Sequence, residues 1–215
     1  MIRDWNNIDK YYDELLGDVY PQPMDEIHYK DMVYGLEKLH SLVKDAHTVL
    51  DVGCGQGDAQ KIFRVMGYEY AGISLGRDVE IGQRNGYDVF YGDFHFLDFR
   101  ENSFDLVFSR HSLEHSPMPL LALMEWHRVS NKYLYLIVPN PDSYLSFGRN
   151  HYSIMDSVQL RWLLRRAGWK VLIKEYRETE LIYLCDKQPR ISCEGWAKSP
   201  LSREIFIDES EEEEK

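Results

Sequence analysis

Long apolar runs are missing from this chain of 215 residues. The longest, near Tyr133–Val138, is far too short to cross a bilayer, which excludes a conventional transmembrane helix. Cysteine is scarce: Cys54, Cys185 and Cys193 are the three present. They are too few for an even disulfide framework and lack the C-x-x-C spacing of a zinc site. The opening stretch Met1–Asp9 is polar, without the hydrophobic segment of a secretory signal. A cytoplasmic chain with reduced thiols is the expectation. Positive charge is also in short supply, with 25 Lys+Arg against 36 Asp+Glu and a net charge of −11. Nothing in that balance supplies a broad basic footprint for duplex nucleic acid. Arg161, Arg165, Arg166 and Lys170 do cluster, on a helix where a solvated face is their ordinary use. Acid is concentrated at the C-terminus, where Asp208–Lys215 holds six acids and one lysine. Such a block is expected to be a solubilising, disordered tail.

Apolar residues at 44% and charged residues at 28% describe an ordinary globular chain with enough length for one sizeable core. No internal repeat is visible. Ile8–Leu16 and Asp25–Val43 read as helices split by Pro21-Gln22-Pro23, with Leu36, Leu39, Leu42 and Val43 on one stripe of the second. Strand-like and helical stretches then alternate. Strands are expected at Thr48–Val52, Tyr68–Ile73, Tyr87–Tyr91, Phe104–Ser109 and Tyr133–Val138. Helices are expected after the glycines through Met66, at Asp78–Arg84, at Pro117–Val129 and at Asp156–Ala167, the last capped by Asp156 and stopped by Gly168. Trp169–Tyr176 and Leu181–Cys185 close the series as a hairpin. This order predicts an α/β sandwich: a mostly parallel sheet with helices on both faces and an antiparallel hairpin at its end. Three parts are expected: an N-terminal helical lid over 1–45, a ligand-binding domain over 46–188, and an extension over 189–215 that ends in the acidic tail.

Val49-Leu50-Asp51-Val52-Gly53-Cys54-Gly55-Gln56-Gly57-Asp58 is the strongest local signal. It puts Gly53, Gly55 and Gly57 between a buried strand and a helix start, where a doubly wound sheet meets a nucleotide-like ligand. Glycine there permits positive φ and removes the Cβ that would hold a ligand off. The spacing is G-x-G-x-G, unlike the G-x-G-x-x-G of dinucleotide sites. Asp51 and Asp58 flank it, and two carboxylates would repel a pyrophosphate. They suit a ligand with an ammonium and a sulfonium and no phosphate, such as S-adenosylmethionine.

This segment resembles motif I of the class I S-adenosylmethionine-dependent methyltransferases, and the resemblance runs from Thr48 to about Tyr176. Gly92-Asp93-Phe94 resembles the adenine-binding position of that family. Ser103-Phe104-Asp105-Leu106-Val107-Phe108-Ser109 with Leu113-Glu114-His115 resembles its fourth strand and the extension after it. Glu125–Val129 and Tyr133–Pro139 resemble the next helix and strand. The resemblance implies a Rossmann-like three-layer sandwich with seven strands in the order 3-2-1-4-5-7-6. It implies that Asp51 holds the methionine amino group and that Gly53, Cys54, Gly55 and Gly57 line the methionine and ribose. Asp93 and Phe94 would bracket the adenine, with Ser109 at the end of the fourth strand. One departure is Ser74, which stands where the family has an acid for the ribose hydroxyls. Asp78 could reach back to that place, although capping the next helix is its simpler role.

His111-Ser112-Leu113-Glu114-His115 also matches H-x-x-E-H, an inverted zinc-peptidase pattern. That pattern needs a continuing helix, and Pro117 and Pro119 argue against one. No metal is expected. His111 and His115 are instead candidate general bases at the crevice, with Arg110 available to an anionic acceptor group. The expected activity is methyl transfer from S-adenosylmethionine to a small or medium-sized acceptor. A weak or inactive S-adenosylmethionine-binding protein and a nicotinamide-dependent oxidoreductase are the alternatives. Oligomeric state is left open.

Overall fold

The computed structural model describes residues 5–17, 25–143 and 146–190. Cys193, the acidic tail, Tyr144 and the Pro21–Pro23 turn lie outside them. The helices are α1 (Trp5–Gly17), α2 (Glu26–Leu42), α3 (Gln60–Val65), α4 (Arg77–Arg84), α5 (Pro119–Val129) and α6 (Ser157–Ala167). The strands are β1 (Thr48–Val52), β2 (Glu69–Ser74), β3 (Val89–Tyr91), β4 (Phe104–Arg110), β5 (Ser130–Pro139), β6 (Trp169–Tyr176) and β7 (Glu180–Lys187). They form one seven-stranded sheet in the order β3-β2-β1-β4-β5-β7-β6. Strands β1 to β5 pair in parallel, and β7 runs antiparallel between β5 and β6.

Alternation along the strands builds two cores. Leu50, Val52, Val107, Leu134, Leu136, Leu181 and Tyr183 point to one face, where α5 and α6 bring Leu123, Trp126, Leu160 and Leu164. Val49, Leu106, Phe108, Tyr135, Ile137 and Ile182 point to the other, against Met32, Leu36 and Leu39 of α2 and Phe63 of α3. Both faces are covered, so the strands read as continuous apolar runs. The indole N–H groups of the buried Trp126 and Trp169 donate to the Phe94 and Leu123 carbonyls, at 3.1 Å each.

Two expectations change. Helix α2 is not part of a lid: Leu36 and Leu39 are fully buried, and a Cβ at Gly35 would meet the Ile137 side chain at 2.7 Å. It is a layer of the sandwich, so the core does not begin at residue 46. Helix α5 starts at Pro119 rather than Pro117. Met118 precedes a proline and sits at φ −135°, ψ 63°, outside the helical region, as a residue before proline tends to. The capping box of Asp156 and Gln159, and the stop at Gly168, are as expected.

Candidate active site

The carboxyl ends of β1 and β4 lie side by side, with Val52 opposite Ser109. Gly53 and Cys54 leave β1 with their N–H groups on the Ile73 carbonyl, each at 3.0 Å. Gly53 has φ +72°, and a Cβ there would collide with the Ser112 side chain. Gly55 has φ +55°, and a Cβ there would point into open space. The missing side chain of Gly57 makes room for Val89 and Tyr87 instead. Of the three glycines, Gly55 is therefore the one whose bareness serves an approach from outside. The Cys54 thiol donates to the Gly55 carbonyl at 3.6 Å, and burial pushes it well above the usual thiol range.

Asp51 is 3% exposed and accepts a hydrogen bond from the Tyr70 hydroxyl at 2.8 Å. Burial pushes its carboxyl up to about 7, with the Tyr70 bond opposing. No cation among the described residues balances it. A buried carboxylate without a positive partner favours a cationic ligand.

Ser74 ends β2, opposite Tyr91. Asp78 does not cap α4, because the cap position is Gly76. Its carboxylate lies within the first turn and accepts from the Gln56 amide at 3.2 Å. An acid thus touches the glycine turn four residues after Ser74, and burial raises its pKa.

Asp93 follows β3. Its carboxylate accepts from the Tyr12 hydroxyl at 2.5 Å and from the His95 backbone N–H at 2.9 Å, with the His95 ring at 2.7 Å. Burial works to raise its pKa, and the bonds from His95 and Tyr12 outweigh it, so the carboxyl sits below the usual range. The Phe94 ring lies 5.7 Å from Trp126, edge on, and 4.5 Å from His95. It is half-buried against the core. Tyr12 brings α1 against Asp93 and His95 at this end of the sheet.

At the crest of β4, Ser109 is fully buried. Arg110 does not stand free for an anionic acceptor: its guanidinium donates to Glu180 at 2.7 Å, and that carboxylate is 1% exposed. His111 adopts φ +50°, an uncommon conformation for a residue with a side chain. Its Nε2 also meets Glu180, at 2.7 Å. Burial works against the charged form of Glu180, but His111 and Arg110 together hold its carboxyl down at about 2. Burial lowers the His111 pKa, with Glu180 opposing.

Leu113–His115 is a single 3-10 turn. The two histidines of H-x-x-E-H therefore do not share a continuing helix. His111 turns toward Glu180, while His115 places Nδ1 3.0 Å from the Asn150 carbonyl. Burial takes the His115 pKa down to about 4. The Ser112 hydroxyl is shared between the Arg110 carbonyl at 3.1 Å and the Gly53 carbonyl at 3.3 Å, which brings this turn against the glycine turn.

Residues 50–137 match the family described as methyltransferase domain. The chain therefore carries a methyltransferase domain. Solved structures share the fold of this methyltransferase at low sequence identity. One comes from the Haloferax volcanii complex of the Trm112 methyltransferase activator with a methyltransferase. It has a TM-score of 0.68 and 18% identity, over 87% of this chain and 100% of that one. An S-adenosylmethionine-dependent methyltransferase from Aquifex aeolicus gives 0.62 and 18%, over 86% and 100%. A Methanosarcina mazei enzyme of the same description gives 0.62 and 15%, over 70% and 97%. No curated protein sequence matches the chain.

The methyltransferase's own residues fit its cofactor. Gly55 opens the turn, and Asp51 offers buried negative charge to an ammonium. Several neighbours escaped sequence reasoning. Tyr70, His95 and Glu180 carry no local pattern that sets them apart from core or surface residues. No helix among the described residues is long and apolar enough to cross a membrane.

Proposed function

We propose that this methyltransferase transfers a methyl group to a small or medium-sized acceptor in the cytoplasm, with the acceptor seated over the carboxyl ends of β4 and β5. The observation that carries this reading is the pair His111 and Glu180 beside the Ser112–Gly53 link. An imidazole oriented by a buried carboxylate then stands at the rim of the cofactor turn. Asp51 would hold the methionine ammonium, and Gly55 would let the ligand approach the backbone. Asp93 and Phe94 would meet the adenine, and Asp78 would take the ribose role that Ser74 lacks. When bound, S-adenosylmethionine supplies an electrophilic methyl group on a sulfonium, and its carbon–sulfur bond breaks with the electron pair going to sulfur.

The protein's part is alignment and proton removal. Glu180 accepts the Nε2–H of His111, which leaves Nδ1 as the proton acceptor. An acceptor hydroxyl would give its proton to that nitrogen as the new bond to carbon forms, and a neutral amine would attack with its lone pair and give up its proton after the bond is made. Because burial lowers its pKa, His111 is unprotonated at neutral pH and ready to accept. His115 is the weaker base, with its Nδ1 spent on the Asn150 carbonyl.

The test is a screen of metabolite pools with methyl-labelled cofactor, followed by mass identification of the labelled product. His111→Ala should lower kcat by about 10²–10⁴-fold with little change in cofactor affinity. Near-normal turnover in that variant would remove the base role. Ser74 favours a second reading, a protein that binds the cofactor without turnover. Failure of every acceptor pool to take label, with cofactor binding intact, would select it.

A further inference from the structure

We propose that Glu114, His115 and His151 form a site for one divalent transition-metal ion. One donor atom from each lies within 4.8 Å of the others. Glu114 and His115 come from the 3-10 turn after β4, and His151 from the segment after β5.

Three features distinguish this cluster from a chance meeting of polar groups. Glu114 is 2% exposed, and neither carboxylate oxygen has a hydrogen-bond partner. A buried carboxylate left this way is costly unless something positive completes it. Each imidazole places Nδ1 against a backbone carbonyl, His115 on Asn150 at 3.0 Å and His151 on Ser146 at 2.6 Å. Donation from Nδ1 fixes the tautomer and leaves the Nε2 lone pair for a ligand bond, which is the usual support of a metal-binding histidine. The two rings also meet edge to face, with centroids 4.8 Å apart.

Beside Glu114 lies a cavity of about 10 Å³, walled largely by Val138, Pro139, Ile154, Met155 and Leu160. Ser153 also lines it, but its hydroxyl donates to the Ser116 carbonyl and its N–H to the Glu114 backbone carbonyl, so neither serves the carboxylate. The donor atoms of Glu114, His115 and His151 thus face one small space, and burial leaves the free Glu114 carboxyl protonated up to about pH 8, a proton that a bound cation would displace. A cation satisfies all of them at once.

Two imidazoles and one carboxylate, without thiolate, suit zinc, manganese, cobalt or iron(II) better than magnesium, which prefers an all-oxygen shell. Ligand bonds of about 2.0–2.2 Å require these atoms to draw together by roughly 1 Å. Three protein ligands leave coordination positions open, as in catalytic rather than structural sites. His111 stands next to this cluster, its Nδ1 3.7 Å from the Glu114 carboxylate. An acceptor oxygen bound there would be made more acidic by the ion and would lie beside the proposed base. That role rests on the methyl-transfer reading; the binding of the ion does not. The substrate class it selects is an acceptor that presents a metal-ligating oxygen, such as a hydroxyl.

The test uses the full chain, stripped with chelator and then dialysed free of it. Co²⁺ is titrated with visible absorption as the readout, and Zn²⁺, Mn²⁺ and Mg²⁺ by calorimetry. One Co²⁺ or Zn²⁺ per chain is expected, with Mg²⁺ at least tenfold weaker and with a rise in melting temperature on binding. Glu114→Gln keeps the shape of the side chain, and His151→Ala changes a loop residue. Each should weaken binding at least tenfold while leaving the circular dichroism of the metal-free protein unchanged. No binding by the wild-type chain at millimolar ion would overturn the proposal. So would equal binding by both variants, which would put the ion elsewhere, for example on the acidic C-terminal run. Neither readout needs an acceptor or turnover, so a failed search for methyl transfer leaves the metal result standing on its own.

Discussion

Ser112 packs on Gly53: its hydroxyl lies between the Arg110 carbonyl at 3.1 Å and the Gly53 carbonyl at 3.3 Å, and a Cβ on Gly53 would occupy the space of that same side chain. The turn that follows β4 is thereby fixed against the turn that follows β1. On the proposed reading, with the methyl donor at the first turn and the acceptor at the second, this contact would align the two.

Substitution at the two bare positions should separate packing from ligand approach. Gly53→Ala combines a collision with an unfavourable φ, whereas Gly55→Ala carries only the unfavourable φ. The loss of melting temperature for Gly53→Ala should be at least twice that for Gly55→Ala. Gly55→Val should stay folded and lose S-adenosylhomocysteine affinity at least tenfold. Unchanged affinity in a folded Gly55→Val variant would put the ligand elsewhere.

Asp51 predicts a pH-dependent affinity. Burial puts its carboxyl at about 7 in the free protein, so the charged form that pairs with an ammonium grows as pH rises through 7. Calorimetry from pH 6 to pH 8 should show tighter S-adenosylhomocysteine binding at the upper end. Asp51→Asn should bind at least tenfold more weakly and lose the pH dependence. Because the folded pKa lies above the unfolded value, the contribution of Asp51 to free-protein stability is full below the ordinary aspartate range. It is lost as pH rises through about 7. A melting profile in which the Asp51→Asn substitution makes no difference over that window would contradict the assignment.

Glu180 gives the opposite sign. Its folded pKa is held at about 2 by His111 and Arg110 against the pull of burial. The stabilisation is present above the ordinary glutamate value and fades as pH falls toward about 2. Glu180→Gln strips the counter-charge from a buried arginine, a change that costs about 3–5 kcal/mol in comparable pairs. A large fall in melting temperature at pH 7, shrinking toward pH 3, is expected. A pH-independent loss would mean that the residue acts through shape alone.

Tyr12 tests whether α1 acts as a lid. Its hydroxyl bonds Asp93 at 2.5 Å and lies 2.7 Å from the His95 ring, which joins α1 to the adenine end of the crevice. Tyr12→Phe should speed cofactor dissociation several-fold in stopped-flow measurements and leave association within twofold. Equal dissociation rates in the two proteins would show that α1 does not gate the site.

The layers of the sandwich were legible because alternation and turn glycines are local signals. Leu134, Leu136 and Val138 against Tyr135 and Ile137 spell out two buried faces within one strand. The lid was drawn too large for the same reason. The stripe of Leu36, Leu39 and Leu42 marks an amphipathic helix but does not say which surface it covers. The site was legible where it follows one strand, as at Asp51 and Gly55. It was hidden where distant segments meet: Glu180 reaches Arg110 across some 70 residues, and His151 reaches His115 from the far side of β5. The pattern H-x-x-E-H was visible, but the partner that gives it meaning comes from the fold. Arg110 was misjudged because its counter-charge is equally remote.

The central claim is that the turn between β1 and α3 holds the cofactor and presents it to the crest of β4. A crystal structure of the chain with S-adenosylhomocysteine tests it most directly. The account predicts the amino group of the ligand at Asp51, its backbone against Gly55, its adenine between Asp93 and Phe94, and its sulfur facing His111. A ligand bound with its adenine at Asp51, or seated outside the glycine turn, would contradict it.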